Sequence, residues 1–102
     1  MILVQILLPL YDNRGAPFAG AHFERVRNEL TERFGGLTAY TRAPAEGRWK
    51  NDGDGVERDD IVIFEVMVKR IAPGWWRQYR ESLQRRFAQD VIVVRAQEIR
   101  VL

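Results

Sequence analysis

The chain contains no cysteine. Disulfides, thiolate catalysis and cysteine-ligated zinc or iron–sulfur centres are therefore excluded. His22 is its only histidine and Ser82 its only serine. That leaves little from which to build a Ser-His-Asp or Cys-His nucleophile, and Ser82 falls mid-helix, away from any strained nucleophile turn. The expected reading of His22 is an ordinary surface residue, with an acid–base role as the minor alternative. The formal net charge is only +2, too small to imply a nucleic-acid partner by itself. No apolar run approaches the about 20 residues that a membrane-spanning helix needs. The apolar start, Met1 to Leu10, has no basic flank, carries Gln5 and Pro9, and lacks a small-residue cleavage site. It reads as a buried strand rather than a targeting signal. Linkers and low-complexity tracts are absent too, so the 102 residues make one domain, large enough to bury a core. A soluble, cytoplasmic protein is expected.

What the chain does contain is an internal echo. Leu30, Arg33, Phe34, Arg42 and Ala43 recur as Leu83, Arg86, Phe87, Arg95 and Ala96, at a constant offset of 53. Phe23 and Arg27 extend the match to Trp76 and Arg80. In each copy an amphipathic helix ends in Phe and leads into a strand.

Ile2 to Tyr11 is almost continuously apolar, as a strand covered on both faces requires. Asp12 to Pro17 is dense in turn formers. Phe23, Val26, Leu30 and Phe34 then mark the buried stripe of a helix over Gly20 to Phe34. Gly35-Gly36 supplies the positive φ of a helix stop. Leu37 to Arg42 reads as the second strand. Residues 43–55 form the longest irregular stretch, with a hairpin tip at Asn51 to Gly55. Asp52 and Asp54 hint at calcium, but the remaining oxygen ligands are not in register. Ile61 to Arg70 is the third strand, and Pro73-Gly74 opens a helix running to about Ala88. Trp76, Tyr79, Leu83 and Phe87 are its stripe. Val91 to Leu102 is the last strand.

The order β-α-β-β-α-β predicts a ferredoxin-like α+β sandwich. Its antiparallel sheet should run 4-1-3-2, with both helices on one face. Val62, Phe64, Val66 and Val68 are assigned to the helix side. Leu3, Gln5, Leu7, Ile61, Ile63, Glu65 and Met67 are assigned to the other, together with Arg95 and Gln97. Such an apolar face needs a cover. The expected cover is a second copy, giving a homodimer through the sheet face. A small apolar ligand is the alternative.

Six residues are candidates for a ligand site: Tyr40, Arg42, Trp49, Glu57, Glu65 and Arg95. If Arg42 and Arg95 are pseudo-symmetric, both flank Glu65, and a buried Glu needs such a partner. The group is then either an ion-pair network within the dimer or a pocket. In a pocket, Arg would bind an anion and Glu65 or Tyr40 would move a proton. Trp49 is a large aromatic in a loop, a residue that commonly packs on a neighbour or ligand. Trp76 should be core, whereas Trp75 points elsewhere. The basic run Arg77, Arg80, Arg85 and Arg86 reads as a solvated helix face, with Glu81 pairing to Arg77 or Arg85. The third strand lacks the exposed aromatics of an RNA-binding sheet, so no nucleic-acid partner is expected.

The run Leu30 to Tyr40, then Gly47-Arg48-Trp49 and Glu57, resembles a family of small uncharacterised bacterial domains. They share a helix ending Arg-Phe-x-Gly, a Leu-Thr strand, a Gly-x-Trp step and a downstream Glu. The resemblance singles out Trp49 and Glu57. The whole architecture is also similar to dimeric α/β barrel proteins, which include small monooxygenases and many sensors. No residue pattern fixes a haem, metal or other cofactor, and none is expected. The leading functional reading is a homodimeric ligand-binding or interaction module without catalysis. The alternative is a small cofactor-free enzyme acting on an anionic or aromatic small molecule.

Overall fold

The computed structural model describes residues 1–42 and 60–102. Its elements are β1 (Ile2–Pro9), α1 (Gly20–Phe34), β2 (Thr38–Arg42), β3 (Ile61–Val68), α2 (Pro73–Arg86) and β4 (Val93–Glu98). The strands form one sheet in the order β2-β3-β1-β4, and every neighbouring pair is antiparallel. This is the ferredoxin-like α+β sandwich that the element order predicts.

The odd–even alternation of β1 and β3 decides which side the helices cover. Val4, Ile6 and Leu8 join Val62, Phe64 and Val66 in one buried cluster with Val26 and Leu30 of α1 and Trp76, Tyr79 and Leu83 of α2. Phe87 and Ile92 close it after the second helix. Each such side chain contributes about 1.5–3 kcal/mol by leaving water. Among the described residues no helix is long and apolar enough to cross a membrane.

The strands are shorter than their apolar runs. β1 stops at Pro9, and the chain then turns through Asp12, whose Oδ1 accepts from the N–H groups of Arg14 and Ala16. β4 begins at Val93 rather than Val91 and ends at Glu98. It is an edge strand against β1 alone, so its length follows the partner rather than its own β propensity.

Both helices end in the left-handed conformation. Gly35 has φ 81° and donates its N–H to the Thr31 carbonyl at 2.8 Å. Ala88, its counterpart in the echo, has φ 50° without being glycine. Its carbonyl accepts from Asn13 Nδ2 at 3.1 Å, tying the end of α2 to the loop after β1.

Candidate functional site

The helix-free face carries a polar row that crosses all four strands. Backbone register sets Arg95 of β4 opposite Gln5 of β1, Gln5 opposite Glu65 of β3, and Glu65 opposite Thr38 of β2. Directly paired residues share a face, so four strands present these residues at one level. Gln5 joins the charges: Arg95 Nε donates to its Oε1 at 2.8 Å, and its Nε2 donates to Glu65 Oε2 at 2.5 Å. A glutamine suits this position because one amide supplies both an acceptor and a donor.

Apolar rows flank the polar one. Leu3 and Met67 lie to one side, with Gln97 beside Leu3 on β4, and Leu7, Ile63 and Val93 to the other. Met67 is 57% and Val93 45% exposed. Ile63, although on this face and outside the helix-side cluster, is only 1% exposed. The open part of the face therefore runs over β1, β4 and the Met67 end of β3.

A cleft of ≈ 410 Å³ opens beside the row. Its origin is a mismatch of strand lengths. β2 pairs with β3 only from Ile61 to Glu65, so the outer edge of β3 from Val66 onward has no strand beside it. The Phe34 to Leu37 turn runs there instead, and the cleft is lined by Leu3, Phe34 to Thr38, and Glu65 to Met67. A methyl group at Gly36 would meet nothing within 4 Å. Glu65 thus belongs to both features, as the acidic end of the Gln5 bridge and, among the described residues, as the one charged side chain of the cleft wall.

The structure treats the six sequence candidates unequally. Glu65 and Arg95 are brought together, through Gln5. Arg42 pairs with Ile61 and Tyr40 with Ile63, so Arg42 is four positions along β3 from Glu65, about 13 Å at strand rise. Thr38, not Arg42, is the cross-strand partner of Glu65. The equal offset of the two arginines does not make them equivalent, because sequence spacing ignores register. Trp49 and Glu57, with the expected hairpin tip, lie outside the described residues. Gln5 was assignable to this face from alternation, but nothing in the sequence marked it as the bridge.

A second polar cluster links the helices. Arg86 donates to both carboxylate oxygens of Glu29, at 2.7 and 2.9 Å, and Tyr79 Oη donates to Oε1 at 2.8 Å. Burial pushes the Glu29 carboxyl up, but the Arg86 and Tyr79 hydrogen bonds and the nearby guanidinium charges outweigh it, and the net shift is downward. Burial, reinforced by Glu29, pushes the Tyr79 phenol well above its ordinary value of 10.0. Arg86 is raised, chiefly by its bonds to Glu29. Trp75 stacks on Tyr79 with Arg33 above it, at 4.9 and 4.2 Å. Tyr79 and Arg86 both find their acceptor in Glu29, so the cluster reads as a clamp between α1 and α2. It also corrects the helix-two reading: Arg86 reaches across to α1, and Glu81 forms neither expected pair among the described residues. His22 is corrected as well, being half-buried against Phe18 and Phe87 at 5.3 and 5.4 Å. Among the described residues no group of three metal-type ligands occurs.

Among solved structures, the chain is similar to a phage SAM lyase in complex with S-methyl-5′-thioadenosine. The TM-score is 0.57 at 16% identity, over 95% of this chain and 80% of that one. At this identity the likeness establishes the fold alone. No protein-family model matches the chain, and no curated protein does.

Proposed function

We propose that this chain is a homodimeric ligand-binding domain that holds a small molecule on its helix-free face, in the cleft beside Glu65. The carrying observation is the double position of Glu65, at the end of the Gln5 bridge and in the cleft wall. A carboxylate among Leu3, Leu37 and Met67 favours a ligand with a positive centre and apolar flanks. Gln5 fixes the carboxylate from behind, so little ordering remains to be done on binding. Phe34 to Thr38, a part of the Leu30 to Tyr40 run that resembles the small bacterial domains, form part of the cleft wall. Open apolar rows around the site support the dimer.

A second reading is a cofactor-free enzyme of the same cleft. It is favoured by the similar fold of a SAM lyase, whose sulfonium substrate carries a positive centre of the kind that Glu65 would attract. Glu65 would then hold the sulfonium by charge.

Titration calorimetry with SAM and with S-methyl-5′-thioadenosine, beside product analysis after incubation with SAM, tests both readings. Binding that is lost in Glu65→Gln and weakened in Gly36→Val, with both variants folded, supports the cleft. Turnover selects the enzyme. Binding that survives both substitutions would refute the cleft as the site, and no binding of either compound would remove this ligand class.

A further inference from the structure

We propose that the polar row is the self-recognition element of the dimer, with Glu65 of each subunit facing the partner's Arg95 across a two-fold axis running along β1. The inference rests on the dimer, not on the ligand, of the function proposed above, and supplies its geometry; in this pairing the partner's Arg95 competes with a cationic ligand for Glu65.

The row is antisymmetric in charge. Glu65 stands one strand to one side of Gln5 and Arg95 one strand to the other, each about 4.8 Å away. Two sheets packed face to face can be related by a two-fold axis along the strands or by one across them. An axis across the strands would put Glu65 over Glu65 and Arg95 over Arg95. An axis along β1 exchanges the two sides, so each carboxylate meets a guanidinium and Gln5 meets Gln5. Like charges juxtaposed in an interface are strongly disfavoured, so the row itself selects the axis. Packed sheets cross at about −30°. At one strand from the axis that rotation displaces the paired groups by only about 2–3 Å, within reach of an arginine.

The open part of the face, β1, β4 and the Glu65 to Val68 end of β3, offers roughly 300 Å² of flat area per copy at about 3.3 Å rise and 4.8 Å strand spacing. The total of roughly 600 Å², before side-chain relief, places the contact among small interfaces, so charge pairing rather than area selects it. Exposure of Met67 and Val93 supplies apolar contact around the polar centre, and Arg95 Nε is already aimed inward by Gln5.

The test is sedimentation velocity on Glu65→Arg, on Arg95→Glu and on their equimolar mixture, with the wild type alongside. Each single variant carries like charges at both paired positions and is expected to be monomeric. Mixed, one subunit offers two arginines and the other two glutamates, so a heterodimer should form. An effect confined within one chain cannot produce rescue by mixing. If either variant fails to fold by circular dichroism, Glu65→Gln and Arg95→Gln replace them. Each should then weaken the dimer roughly tenfold or more, and the double variant no further than one alone. A wild-type dimer with no rescue in the mixture, or with additive losses in the neutral variants, overturns this pairing while leaving the dimer standing. A monomeric wild type overturns both.

Discussion

Replacing Ala88 by glycine is expected to stabilise the protein, although it deletes a side-chain atom and increases the freedom of the unfolded chain. Ala88 ends α2 with φ 50°, where an L-residue pays roughly 1–2 kcal/mol for its Cβ. Glycine removes that cost but loses about 0.5–1 kcal/mol through the unfolded state. The difference favours glycine by about 0.5–1 kcal/mol, which at this chain length raises the melting midpoint by roughly 2–8 °C. The conformation should survive the change. The Ala88 carbonyl is held by Asn13, and its N–H donates to the Arg85 carbonyl at 3.2 Å. Ala88 is also exposed, so little packing is lost. Thermal and urea unfolding of Ala88→Gly measure the effect, with an unchanged urea slope as the sign that only stability moved. The mirror experiment is Gly35→Ala. Its new methyl would meet nothing within 4 Å, so the expected loss, the same difference with its sign reversed, is about 0.5–1 kcal/mol and a backbone effect alone. A lower midpoint for Ala88→Gly would refute the reasoning.

Other expectations follow from the same contacts. The folded Glu29 carboxyl titrates below its ordinary value of 4.5, so its stabilisation is fully present above that pH. It is lost as pH falls through the depressed value, and Glu29→Gln should flatten that acid limb of the stability curve. Tyr79 is shifted the other way: its contribution is intact below pH 10.0 and declines as the pH rises further, and Tyr79→Phe should remove this decline. Leu83 is fully buried in the helix-side core, and Leu83→Ala should cost about 2–5 kcal/mol in urea unfolding. Gly36 has ordinary backbone and open space at its Cβ, so Gly36→Val should change the melting midpoint little while obstructing the cleft.

The fold was legible because its signals are local and repeated. The stripe Phe23, Val26, Leu30 and Phe34, stopped by Gly35, gives α1 its bounds. Alternation along Ile61 to Val68 separates the two faces of β3, and the order of elements then leaves few topologies. The polar contacts were not legible. Glu29 and Arg86 are 57 residues apart, and on its own helix each looks like a solvated charge. Only the helix crossing makes them partners. The link from Glu65 through Gln5 to Arg95 depends on strand register, which an offset in sequence does not encode. Gln5 left a trace, a single polar residue inside an apolar strand, and the structure explains it as a bridge between two charges. The cleft came from a strand two or three residues shorter than its neighbour, a boundary that propensity does not resolve.

The helix-free face is the face that this chain is proposed to use. Sedimentation equilibrium of the wild-type protein at micromolar concentration tests that most directly. The expected result is a particle of twice the 11.9 kDa chain mass, falling to the single-chain mass in Glu65→Arg. A wild-type particle of 11.9 kDa at every concentration would contradict it.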